Sequence, residues 1–194
     1  MSILTDSIEK AAAVIRDGGV IICPTEGVYG ISCSVFNEDA VNRVISIKQR
    51  DISKGLIIVD SSLDILNQYI DREKIDDYSQ SLMEKMWPGP HTFVLPVKDD
   101  LKTVAVRDNR TVAVRITSFN ILAALCKYAR VPLISTSANI SGFEATDSLD
   151  RLDSKLEDKV DLVLTLPCSG QSEPTSIYDT QTKKLVRKGP HWIE

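Results

Sequence analysis

The chain has 194 residues, 43% hydrophobic and 26% charged, enough to build a sizeable core and ordinary for a globular protein. Its formal net charge of −4 argues against a broad basic face for nucleic acid but leaves room for a local basic cleft. No apolar run approaches the ~20 residues of a membrane span, and the first residues lack the basic start and long apolar core of a signal peptide. The cysteines, Cys23, Cys33, Cys126 and Cys168, form no C-x-x-C pair and lie near no histidine at metal-ligand spacing. They read as free thiols in a reducing cytoplasm.

Asp6-Ser7-Ile8-Glu9 carries the signature of a helix start, and Ile8, Ala11, Ala12 and Ile15 then recur at helical spacing up to Gly18-Gly19. Val20-Ile21-Ile22-Cys23 is short, apolar and β-branched, which predicts a buried strand stopped by Pro24. Thr25 to Gly30 reads as a loop with two glycines. Val41, Val44, Ile45 and Lys48 share one helical face. A strand is expected over 56–59, helices over 63–69 and 77–86, a rigid turn at Trp87-Pro88-Gly89-Pro90, and a strand over 93–95. The polar run 98–110 reads as a mobile loop. Thr111 to Ile116 alternates, with Val112, Val114 and Ile116 on one face and Thr111, Ala113 and Arg115 on the other. A helix over 121–128, a strand over 131–135, a polar helix over 146–156 and a strand over 161–166 follow. A hairpin pairs 176–179 with 184–187 around Thr180-Gln181-Thr182.

Strands and helices interleave throughout, which predicts an α/β fold. The expected form is an open, twisted, mixed β-sheet with flanking helices, in a single domain over residues 1–194.

The familiar nucleotide loops are missing: there is no G-x-x-x-x-G-K-[ST], and no G-x-G-x-x-G after a strand. His91 and His191 are the only histidines, so a histidine-based triad is not expected. A phosphate site here has to be built from side chains. Lys48 sits on the inward face of its helix, where it either reaches a cleft or simply complements the helix C-terminus. Arg115 shares its strand face with Thr111 and the small Ala113, which makes either a site floor or an exposed outer face. Ser135-Thr136-Ser137-Ala138-Asn139 follows a buried strand, and ligands of open α/β sheets bind beyond strand carboxyl ends. Thr25 ends the first buried strand in the same way, and Arg187 lies at the end of the last one. Cations neutralise phosphate charge while hydroxyls and amides fix geometry.

Laid out together, these segments resemble the YrdC-type threonylcarbamoyl-AMP synthase family in its short, single-domain bacterial form. Cys23-Pro24-Thr25-Glu26-Gly27-Val28-Tyr29-Gly30 is similar to that family's P-T-E-x-x-[YF]-G loop, and Lys48-Gln49-Arg50 to its K-x-R motif. Trp87 to Phe93 matches its W-P-G-P-x-T-F turn, Thr111 to Arg115 its arginine-ended strand, and Ser135 to Asn139 its S-x-N segment. Thr175-Ser176-Ile177 and Leu185 to Gly189 fit its closing elements. The resemblance runs from Ile8 to Gly189. It departs at Asp51, at Lys54, at Gly27 and at Val59, where relatives carry proline, asparagine, threonine and histidine.

The resemblance implies a reaction in which L-threonine, bicarbonate and ATP give threonylcarbamoyl-adenylate and pyrophosphate, with Mg2+ accompanying the nucleotide. A downstream threonylcarbamoyl-transferase then modifies adenosine 37 of tRNAs that read codons beginning with A. It implies catalytic roles for Lys48, Arg50 and Arg115. It puts Lys48, Arg50, Thr111, Ser137, Asn139 and Arg187 at ATP, and Thr25, Tyr29, Arg115, Ser135 and Thr175 at threonine. No protein ligand to a metal is implied. A competing expectation is a non-catalytic tRNA or double-stranded RNA binder acting in RNA maturation, which the acidic balance disfavours. A third is a related carbamoyl transfer to another acceptor.

Overall fold

The structure is a computed structural model that describes residues 2–49, 56–140, 142–171, 175–189 and 192. In chain order its elements are β1 (Ile3–Thr5), α1 (Ile8–Arg16), β2 (Ile21–Pro24), β3 (Tyr29–Ser34), α2 (Glu38–Lys48), β4 (Ile57–Asp60), α3 (Asp77–Met86) and β5 (His91–Pro96). Then come β6 (Thr111–Ile116), α4 (Asn120–Ala129), β7 (Leu133–Ser137), α5 (Ser154–Glu157), β8 (Leu162–Leu164), β9 (Ser176–Asp179) and β10 (Lys184–Arg187). Among the described residues the strands form one ten-stranded sheet in the order β1-β8-β2-β3-β7-β4-β6-β5-β9-β10. The sheet is mixed. β8 runs parallel between β1 and β2, β4 is parallel to β6 and β5 to β9, and the other pairs are antiparallel.

Helices cover both faces. One face carries Ile22, Ile31, Ile58, Val114, Phe93 and Ile134, packed with α2 and α3 through Val41, Val44, Met83 and Met86. The other carries Ile21, Cys23, Val59, Leu133, Leu162 and Leu164, packed with α1 and α4. Ala11, Ala12 and Ile15 supply the α1 side of that second layer, as their spacing predicts. α1 starts where the Ser7 side chain accepts from the Lys10 N–H, and the chain leaves it through Gly18 at φ +87. α2 starts where the Asn37 side chain accepts from the Ala40 N–H.

Several expectations are corrected. Residues 63–69 are a series of turns, not a helix: Asn67 N–H donates to Leu63 O, but Ser61 and Ser62 bond locally to Asp60 and Asp64 instead of launching a helix. The expected helix over 146–156 is a 3-10 turn at Leu149–Arg151 followed by the short α5. There the Thr146 and Asp153 side chains accept from the Ser148 and Lys155 N–H groups and divert the backbone. Residues 98–110 are irregular but anchored, because Leu101 and Ala105 are buried and the Thr103 hydroxyl donates to Val35 O. The strand expected over 131–135 begins at Leu133 and runs on to Ser137, so Ser135, Thr136 and Ser137 lie within β7. β1 and residues 31–34 of β3 carry no expectation from the sequence, and Tyr29-Gly30, read as the end of a loop, open β3 by pairing with Pro24 and Cys23.

Candidate active site

Strand register decides which side chains share a face, because cross-strand partners point the same way and alternate residues repeat. Ser32, Ser135, Ile57 and Ala113 are aligned across β3, β7, β4 and β6. The next row on the same face aligns Leu133, Val59, Arg115 and Thr92. Gly30 and Ser137 form the row on the other side. Thr111, Ala113 and Arg115 therefore lie on the face of Ser135 and Ser137, while Val112, Val114 and Ile116 pack in the opposite apolar layer. The alternation read from 111–116 is correct, and the open choice for Arg115 falls on a buried floor: it is 5% exposed.

Arg115 is held by a carboxylate. Its Nη2 lies 3.2 Å from Glu26 Oε2, both side chains being buried, and the Thr117 hydroxyl donates to Glu26 Oε1 at 2.6 Å. Thr117 Oγ1 in turn accepts from the Phe119 N–H at the head of α4. The Arg115 Nε–H has no acceptor among the described residues. The Glu26 backbone is fixed from elsewhere in the chain: its carbonyl accepts from the Ser169 hydroxyl at 2.5 Å and the Gln171 N–H at 3.2 Å.

Thr25 in the loop and Tyr29 at the head of β3 fix the edge of this floor. The Thr25 hydroxyl donates to Val28 O at 2.6 Å, and the Tyr29 hydroxyl donates to Leu166 O at 2.7 Å. Burial pushes the Tyr29 phenol up to about 12. Gly30 brings Thr25 and Ser135 together. A Cβ there would stand 3.0 Å from Thr25 Cγ2, 3.3 Å from Thr136 O and 3.7 Å from Ser135 Oγ.

Lys48 enters from the end of α2 and is 2% exposed. Its Nζ donates to Ser137 O at 2.5 Å and lies 2.7 Å from both Asn139 O and Asn139 Oδ1, with Ser137 Oγ at 3.3 Å. The Ser137 hydroxyl donates to Asn139 Oδ1 at 2.5 Å. This cation braces the end of β7 as well as lending it charge. A third cluster joins β5, β9 and β10. Arg187 Nε donates to Thr175 O at 2.7 Å, and Thr175 Oγ1 lies 3.4 Å from both Arg187 Nη2 and Thr92 Oγ1.

The structure thus brings Thr111, Arg115, Ser135 and Ser137 onto one face of the sheet, with Thr25, Asn139, Thr175 and Arg187 at its rim; Lys48 reaches the end of β7 from α2, and Tyr29 belongs to the opposite apolar layer. Thr111 spends its hydroxyl on Asn109 Oδ1 at 2.7 Å. Arg50, Asp51 and Lys54 lie outside the described residues. Val59 is sealed beneath α1 and α4. Sequence reasoning gave no role to Glu26, Thr92 or Thr117. The signal for Glu26 was an acid in a glycine-bearing loop facing a predicted arginine; for Thr117 it was a hydroxyl two residues past that arginine.

His91 also departs from a turn reading. Its ring is buried at the start of β5, its Nδ1 is 2.8 Å from Ser176 Oγ, and Trp192 packs beside it while stacking on Tyr178. Cys23, Cys33 and Cys126 are buried free thiols, and burial pushes Cys23 and Cys33 up to about 12. No helix among the described residues is long and apolar enough to cross a membrane.

Comparison with known proteins follows the same lines. A family model named for Sua5, YciO and YrdC, and described as telomere recombination, matches residues 13–189. A threonylcarbamoyl-AMP synthase of Xanthomonas campestris is 39% identical over 183 residues, covering 94% of this chain and 98% of its own. The structure of E. coli YciO superimposes with a TM-score of 0.81 at 28% identity, covering 98% of this chain and 97% of that one. P. abyssi Sua5 complexed with L-threonine gives a TM-score of 0.82 at 28% identity over 92% of this chain, which spans only 54% of that longer one.

Proposed function

The chain belongs to the Sua5/YciO/YrdC family, and on that premise we propose that it is a threonylcarbamoyl-AMP synthase working as a single cytoplasmic domain. The observation that supports this reading is the buried Arg115 among the hydroxyls of one sheet face, with Lys48 at the end of the adjoining β7. ATP, L-threonine and bicarbonate are the substrates, and threonylcarbamoyl-adenylate and pyrophosphate the products. The product passes to a threonylcarbamoyl-transferase acting on tRNA.

The chemistry asks the protein for position and charge. The threonine amine and bicarbonate condense to a carbamate with loss of water. A carbamate oxygen then displaces pyrophosphate at the α-phosphorus. No protein nucleophile is needed; the work is alignment and stabilisation of phosphate oxygens. Arg115, held by Glu26, which Thr117 in turn fixes, takes the threonine carboxylate, with Thr25, Tyr29, Ser135 and Thr175 around it. Ser137 and Asn139, fixed by Lys48, border the nucleotide site, which Thr111, Arg50 and Arg187 complete. The site face offers hydroxyls, amides and cations, and its carboxylate Glu26 is turned to Arg115. That donor set does not fit a protein-held metal, and Mg2+ enters with the ATP substrate.

Burial weighs against the RNA-binding alternative. Lys48 and Arg115 are 2% and 5% exposed, whereas a duplex backbone is met by cations standing on a surface. Pyrophosphate release from ATP, measured with and without threonine and bicarbonate, tests the proposal. Release should require both, and release indifferent to threonine would refute it.

A further inference from the structure

We propose that residues 165–171 form a strap that sets the position of Glu26 and thereby aims Arg115, with Ser169 as a positioning residue for recognition of the amino-acid substrate; this rests on the function proposed above. The strap leaves β8 after Leu164 and forms neither helix nor strand. Pro167, Ser169 and Gly170 are exposed, while Thr25 and Glu26 are buried. An exposed, irregular segment of this kind takes its shape from the groups it bonds to.

Those groups belong to one loop and the strand that follows it. The Tyr29 hydroxyl donates to Leu166 O at 2.7 Å, and the Ser169 N–H donates to Thr25 O at 3.3 Å. The Ser169 hydroxyl donates to Glu26 O at 2.5 Å, and the Gln171 N–H donates to the same oxygen at 3.2 Å. A carbonyl oxygen has two lone pairs, so the strap engages both of them at Glu26. Gly170 stands between the two donors at φ +85 and turns the chain so that both reach one oxygen. A Cβ at Gly170 would meet nothing within 4 Å, so it is the backbone conformation and not space that asks for glycine there.

The other end of Glu26 carries the consequence. Its carboxylate lies 3.2 Å from Arg115 Nη2 and accepts from the Thr117 hydroxyl. A buried guanidinium cannot exchange its partner for water, so a shift of the Glu26 backbone is passed to Arg115. Arg115 keeps its Nε–H without an acceptor among the described residues, a donor left for an incoming carboxylate. The strap's bonds fall on Thr25, Glu26 and Tyr29, which are on the amino-acid side of the site. Loosening it should therefore be felt by threonine before ATP.

The test is steady-state pyrophosphate release by the full chain, comparing wild type, Ser169→Ala and Ser169→Thr with threonine and ATP varied in turn. Ser169→Ala removes one donor to Glu26 O and should raise the KM for threonine about 5-fold, leaving the KM for ATP and the kcat at saturating threonine unchanged. Ser169→Thr keeps the hydroxyl and should restore the wild-type value. In a Glu26→Gln background, where the hold on Arg115 is already weakened, Ser169→Ala should add less than about 2-fold. An unchanged threonine KM in Ser169→Ala overturns the proposal. A parallel rise in both KM values also overturns it, because it would mark general loosening, and so does full additivity with Glu26→Gln. Wild-type release indifferent to threonine would instead refute the function itself, and this role with it.

Discussion

Replacing Lys48 with methionine separates two jobs that this cation could do. An ammonium has three N–H donors, and among the described residues four acceptors lie within 2.5 to 3.3 Å of Nζ. Methionine fills similar volume but leaves two carbonyls, an amide oxygen and a hydroxyl short of a charged donor. Hydrogen bonds to a charged group contribute about 1.5–3 kcal/mol each, and those around one atom are not additive. A loss of about 3–5 kcal/mol is therefore expected, a large share of a typical total of about 5–15 kcal/mol. For a chain of this size that lowers Tm by about 6–20 °C. Urea denaturation followed by circular dichroism measures the first figure and a thermal melt the second. ATP affinity should fall as well, because Ser137 and Asn139 lose their brace. A variant with wild-type stability and weakened ATP binding would refute the reasoning: Lys48 would then be a cation facing ligand and not a strut.

Removing Arg115 alone, as in Arg115→Met, leaves Glu26 charged and buried and should cost about 3–5 kcal/mol. Glu26→Gln combined with Arg115→Met should recover part of that, and strictly additive urea-denaturation energies would contradict the pairing. Gly30→Ala forces a methyl against Thr25 and Thr136 O; the KM for threonine should rise several-fold more than the KM for ATP, and an unchanged threonine KM would count against the convergence of Thr25 and Ser135. Asp76 caps α3 and pairs with Lys183, whose hydrogen bond holds its carboxyl at about 2 against an ordinary 3.8. The folded state thus favours the carboxylate: the stabilisation is complete above pH ~4 and fades as pH falls toward 2. Acid titration of Asp76→Asn should lack that component, and a profile identical to wild type would disprove it.

The centre of the fold was legible from the sequence, because buried strands announce themselves as short β-branched runs and α1, α3 and α4 by apolar periodicity. β3 was not, since Tyr29-Gly30-Ile31-Ser32-Cys33-Ser34 carries small polar residues on one face, and that face is the site floor. Residues 146–156 misled because their charged and hydroxyl residues match a solvated helix while their side chains bond to the backbone locally. The candidate site was legible only as separate motifs; their meeting depended on strand register. The Glu26 pairing with Arg115 links a loop to a strand 89 positions away in sequence, which no local pattern encodes.

The strand order has a consequence for synthesis. β1 is made first, yet its sheet partner is β8, with Ile3 opposite Leu162 and Thr5 opposite Leu164. β2 waits for the same strand, since Ile21 also lies opposite Leu162. Until residues 162–164 have emerged, the outer edge of β2 stands unpaired with a fully buried-type sequence along it. Such edges invite wrong partners. The nascent protein should therefore be most prone to aggregate just before residues 162–164 leave the ribosome, and most in need of a chaperone then.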